Sequence, residues 1–144
     1  MKTNELKATD LMVGDWIKHY NGTPMQVKRI VFGHFACGEK YTNFWEYNNT
    51  FQPILLTPEI LEKNGFTLEN KVKHPARYIY NVSYSNSVIV DFDCYNNGQG
   101  AIKCILAGVG LVSNSFIRIY GKDIYVHQLQ HALRLCKIEK EIIL

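Results

Sequence analysis

Apolar residues in this chain recur mostly at every second position, the period of strands, and only two stretches switch to helical spacing. Leu11-Met12-Val13-Gly14-Asp15-Trp16-Ile17 reads as a turn leading into a strand. Asn21-Gly22-Thr23 then predicts a hairpin, because Asn and Gly both tolerate positive φ. On the return, Met25 and Val27 alternate with polar neighbours, and the pattern resumes at Ile30 and Phe32. Gly33 to Lys40 reads as a loop. Phe44 to Tyr47 and Phe51 to Leu55 read as short strands divided by Asn48-Asn49. So many short strands within 55 residues predict a small barrel or a curled antiparallel sheet over residues 1–56.

Thr57-Pro58-Glu59 opens the first helix, over 57–65. Thr57 is placed to cap it, Pro58 suits the first helical position, and Glu59 complements the dipole. Gly65 stops it, with Phe66 set to touch Leu61. Tyr78 to Tyr84 and Val88 to Phe92 read as a hairpin, and Ile102 to Leu106 and Phe116 to Tyr120 as two further strands. A second helix is expected over 124–136, with Tyr125, Val126, Leu129, Ala132, Leu133 and Cys136 on one face. The tail, Glu141 to Leu144, reads as a final strand. The fold class is therefore α+β and strand-rich. A barrel-like part at 1–56 precedes an α+β part at 57–144, an antiparallel sheet with the two helices, and the two share one core. Trp16, Ile17, Val27, Ile30, Leu61, Phe66, Ile79, Val90, Leu129 and Leu133 are the expected core.

An apolar share of 47% with 20% charged residues belongs to a globular chain, which at this length folds without staples. No apolar window reaches the ~20 residues of a membrane span, and residues 1–10 lack the apolar core of a signal peptide. The cytoplasm is the expected compartment, with no membrane partner. Cys37, Cys94, Cys104 and Cys136 show no CxxC spacing and read as buried thiols. The net charge of +3 is spread evenly: residues 1–55 hold six Lys/Arg against five Asp/Glu, 56–123 hold seven against six, and 124–144 hold three against two. No basic block marks a dedicated nucleic-acid binder.

Four constellations carry candidate chemistry. His127 and His131 stand one helical turn apart, the spacing of two metal ligands. Gln128 occupies the position where the HExxH motif has its general base, so the protease reading fails on chemistry. His127, His131 and Arg134 are expected on a solvated helix face. Asp91 and Asp93, at i and i+2 of a strand, share one face, which is expected to be open to water but also suits a metal or acid–base pair. Gly108-Val109-Gly110 lacks the third glycine of a dinucleotide turn, Ser113 standing in its place. Finally, Tyr41, Phe44, Trp45 and Tyr47 lie near Lys28, Arg29 and Lys40 in sequence. Rings for stacking beside cations for phosphates suit single-stranded nucleic acid, although a barrel core also uses such rings.

Leu11 to Ile17, Pro53 to Phe66 and Tyr125 to Leu133 together resemble a group of small proteins of bacterial prophages and conjugative elements from gut commensals. The first segment also looks like the entry to an SH3-like barrel, a fold that hosts many binding functions. The resemblance implies a setting, that of a mobile-element accessory protein, and no mechanism. The expectation is thus a non-catalytic binding or adaptor protein with no cofactor, taking a protein or a single-stranded nucleic acid at Lys28, Arg29, Tyr41 and Trp45. The alternative is a metal-dependent hydrolase using His127 and His131 with Asp91 or Asp93.

Overall fold

The structure, a computed structural model, describes residues 6–37, 51–69, 76–82, 86–94, 99–106 and 115–144. The chain forms an α+β fold of two antiparallel sheets and two helices, in two compact units. One unit comprises residues 1–54 with 125–127, and the other 55–124 with 128–144.

In the first unit a short 3-10 turn at Ala8–Asp10 leads into a tight turn built on Asp15. The Asp15 carboxylate is fully buried and accepts the Met12 N–H at 2.7 Å, while its own N–H donates to the Met12 carbonyl at 3.1 Å. Gly14, at φ 90°, donates its N–H to Val27. Four strands follow: β1 (Trp16–His19), β2 (Pro24–Val31), β3 (His34–Cys37) and β4 (Phe51–Pro53), in the spatial order β3-β2-β1-β4. The Asn21-Gly22 turn forms as the sequence predicts; the Asn21 Oδ1 accepts from the Thr23 N–H at 3.0 Å, and Gly22 takes φ 88°.

A bulge lies between Val27 and Arg29 in β2. Val27 pairs with Cys37, Arg29 with Ala36 and Ile30 with Phe35, so Lys28 is the extra residue. The bulge accounts for the three-residue step from Val27 to Ile30 in the apolar pattern, since it keeps both on the core side. The core of this unit gathers Leu6, Leu11, Ile17, Val27, Phe35 and Phe51, with Met25 and Ile30 packed against it. Trp16 departs from expectation. Ile17 takes the core face, so strand alternation turns Trp16 to the opposite one, where it is half-buried.

Of residues 33–40, expected as a loop, His34–Cys37 instead form β3 after a two-residue hairpin turn at Phe32-Gly33, and 38–40 lie outside the described residues. Both turn residues have positive φ, 47° and 79°, as a type I′ turn requires. The expected strand at 44–47 lies outside the described residues.

In the second unit α1 (Pro58–Lys63) matches its capping signals. The Thr57 hydroxyl accepts the Ile60 N–H at 3.4 Å, and at the other end the Phe66 N–H donates to Leu61 and the Gly65 N–H to Glu62, with Gly65 at φ 79°. A five-stranded antiparallel meander follows: β5 (Thr67–Leu68), β6 (Ala76–Asn81), β7 (Asn86–Cys94), β8 (Gln99–Leu106) and β9 (Ser115–Gly121). One face of it buries Tyr78, Val88, Val90, Ile102 and Cys104. Ile79, expected to be largely buried, pairs across to Ile89 on the other face and is half-buried.

The last helix, α2 (Val126–Leu135), buries Leu129, Ala132 and Leu133, and ends with Lys137 at φ 55° and the Ile138 N–H bonded back to Leu133. The tail does not form a strand. Asn64, 2% exposed, clamps it instead, donating to the Ile143 carbonyl at 2.7 Å and accepting its N–H at 2.9 Å. One side-chain amide thus supplies the donor and acceptor that a neighbouring strand would offer. No helix among the described residues is long and apolar enough to cross a membrane.

Candidate nucleic-acid interface

Register decides which side chains share the outer face of the first sheet. Trp16 pairs with Gln26, and Lys18 with Pro24 on one side and Gln52 on the other. Beyond the bulge, Arg29 pairs with Ala36 and Val31 with His34. Directly paired residues point to the same side, so Trp16, Lys18, Gln26, Arg29, His34 and Gln52 lie on the face opposite Ile17 and Phe35. Arg29, His34 and Gln52 are exposed; Trp16, Lys18 and Gln26 are half-buried. Lys28, at the bulge, is exposed and donates to the Gln26 Oε1 at 3.0 Å.

The charge on these four strands is one-sided. Residues 16–37 and 51–53 contain Lys18, Lys28 and Arg29 and no carboxylate. The nearest described acid in sequence, Asp15, is fully buried and turned to the Met12 N–H. Glu39 and Glu46 fall at 38–50, outside the described residues.

At the hairpin tip, Phe32 is 98% exposed at φ 47°. Left-handed backbone costs an L residue about 1–2 kcal/mol, and a bulky side chain there is uncommon. At the far end of β2 the Tyr20–Thr23 turn borders a cleft of about 360 Å³. His19, Tyr20, Met25 and Phe51 line it, with His19 and Phe51 ring centroids 5.6 Å apart.

Of the residues expected to bind, Lys28 and Arg29 are neighbours on β2, while Tyr41 and Trp45 lie outside the described residues. The signal that finds Trp16, Lys18 and His34 is strand register, which the apolar pattern leaves open at the bulge.

The residues of the metal alternative are placed otherwise than expected. Asp91 is 1% exposed, not open to water. Arg77, its direct partner on β6, donates to it from Nε at 2.7 Å and Nη2 at 3.3 Å, and Lys103 of β8 from Nζ at 2.5 Å. Burial pushes the Asp91 carboxyl upward, but the hydrogen bonds from Arg77 and Lys103, with their charges, outweigh it and hold it below the ordinary range. A strand position flanked by cations on both neighbouring strands therefore buries its carboxylate as an ion-pair centre. The side chains of Asp93 and Cys94 lie outside the described residues.

His127 is buried too, contrary to the expected solvated face, and its ring stacks with Tyr125 at 5.9 Å. The backbone entering α2 pairs with the chain at Ile54, the Val126 N–H donating to the Ile54 carbonyl at 2.9 Å. The first turn thus lies against protein, not water. His131 and Arg134 are half-buried. Among the described residues no three of His, Cys, Asp and Glu gather as a metal-binding group.

Cys37, Cys104 and Cys136 are buried thiols. Burial, then the hydrogen bond and charge of Cys136, push the Cys104 thiol far up, so it stays protonated and is a poor nucleophile. No protein-family model matches this chain, and comparison with curated proteins and with solved structures yields no match.

Proposed function

We propose that this chain is a non-catalytic binding module, an accessory protein of a mobile genetic element, whose first sheet takes a single-stranded nucleic acid across its outer face. The observation that supports this reading is the one-sided charge: Lys18, Lys28 and Arg29 with no carboxylate among the described residues of β1 to β4. Such a face attracts a polyanion and releases counterions on binding. Trp16 on the same face, with Tyr20 and Phe32 at the turns, supplies rings for stacking. The eight residues of β2 span about 26 Å, enough for a short run of nucleotides. Among the described residues no observation favours the hydrolase: two cations already hold Asp91, and His127 is buried.

A fluorescence titration with short single-stranded oligonucleotides at low salt tests the proposal. Affinity falls as salt rises, and Arg29→Ala lowers the slope of log K against log salt by about 0.7, one phosphate contact on a single strand. No binding at about 100 μM, the weak end of even non-specific contacts, removes nucleic acid as the partner.

A further inference from the structure

Phe32 carries two features that stability alone does not explain. Its ring is 98% exposed, and its backbone sits at φ 47° in a turn where Asn-Gly would fit without strain. Gly33 already supplies the second positive φ, at 79°, and Val31 pairs with His34, so the hairpin needs nothing from an aromatic ring at position 32. Behind the tip, β2 carries the exposed cations Lys28 and Arg29. We infer that Phe32 is a stacking residue, held out at the hairpin tip to lie against a base of the single strand while the cations behind it meet phosphates. This rests on the nucleic-acid reading given above and adds a ligand contact to it.

A bilayer is the other partner that attracts a ring backed by cations. One ring is a small apolar surface for that purpose, since even a whole myristoyl chain gives only marginal membrane binding. A single ring is, by contrast, the unit that stacks on a base. The strained turn fits this role as well. Two-residue hairpins are short and stiff, so the ring is presented at a fixed place and loses little freedom on binding.

The test compares wild-type protein with Phe32→Asn and Phe32→Trp. The probes are a short deoxythymidine oligomer, an abasic oligomer of equal length, and vesicles of phosphatidylcholine with phosphatidylserine. Phe32→Asn weakens binding of the deoxythymidine oligomer roughly 5- to 150-fold, the range for losing one stacked base, and Phe32→Trp keeps it. The abasic oligomer binds wild type and Phe32→Asn alike, because it offers phosphates without rings. Phe32→Asn melts no lower than wild type, since Asn suits positive φ, so its lost affinity is not lost folding. If the oligomer binds and Phe32→Asn stays within twofold of wild type, the stacking role falls and the sheet reading stands. If the oligomer does not bind wild type, both fall. Vesicle binding that disappears in Phe32→Asn overturns the inference in favour of a bilayer.

Discussion

Replacing Asp91 should damage this protein more than replacing any exposed charge. One carboxylate, 1% exposed, accepts three hydrogen bonds from two cations whose side chains keep 37% (Arg77) and 21% (Lys103) of their exposure. Asp91→Ala leaves Arg77 and Lys103 facing each other across an empty position. Breaking a buried pair by removing one partner costs about 3–5 kcal/mol. Both cations are partly wet here, so water recovers some of that, and the lower end, about 3 kcal/mol at pH 7, is expected.

Acid should act in the same direction. The folded carboxyl titrates below its unfolded value of about 3.9, so its contribution is complete above pH ~4 and is lost as pH falls through the folded value. The difference between wild type and Asp91→Asn, followed by urea melts, is therefore level from pH 7 to pH 5 and shrinks below about pH 4. A loss under about 0.5 kcal/mol at pH 7, or a gap that does not narrow in acid, would show that the triad is an ordinary surface ion pair.

Two further replacements probe the packing of the second unit. Leu133→Ala, at a side chain 1% exposed on α2, should cost roughly 2–5 kcal/mol in denaturant melts; a value under about 0.5 would mean that the helix is not docked. Asn64→Ala removes both bonds to Ile143 and the donation to the Ile60 carbonyl at 2.7 Å, at a cost of about 1–3 kcal/mol. Hydrogen exchange at the Ile143 amide should speed up in that variant, and unchanged exchange would refute the clamp.

The elements legible in the sequence are those whose signals are local. Thr57-Pro58 and Gly65-Phe66 bracket α1, and Asn21-Gly22 turns the first hairpin, because caps and tight turns depend on the residues that form them. The β2–β3 hairpin was not legible for the same reason. Phe32 is a poor turn residue and continues the apolar pattern from Ile30, so it reads as strand while the structure places it at the tip. Asn64 reads as part of a helix stop; its partner is 79 residues away, and no local pattern connects them. Trp16, an expected core residue, faces away from the core because Ile17 beside it takes the inner side.

Charge shows the same limit at larger scale. Counted along the chain, residues 1–55, 56–123 and 124–144 each net +1 and no segment stands out. Counted by sheet, the cations are set differently. On the second sheet Arg77 and Lys103 converge on Asp91, and Arg77 also meets Glu69 at 3.7 Å, so their fields are largely answered at close range. On the first sheet the described strands β1 to β4 carry Lys18, Lys28 and Arg29 and no carboxylate of their own. On the function proposed above, a modest net charge attracts a polyanion at one place, since screening confines each charge to about 8–10 Å at ordinary salt. That proposal predicts that the salt dependence of oligonucleotide binding is set by Lys18, Lys28 and Arg29. Removing Arg77 or Lys103 lowers the net charge by the same amount yet leaves that dependence unchanged, which separates a local field from a global one.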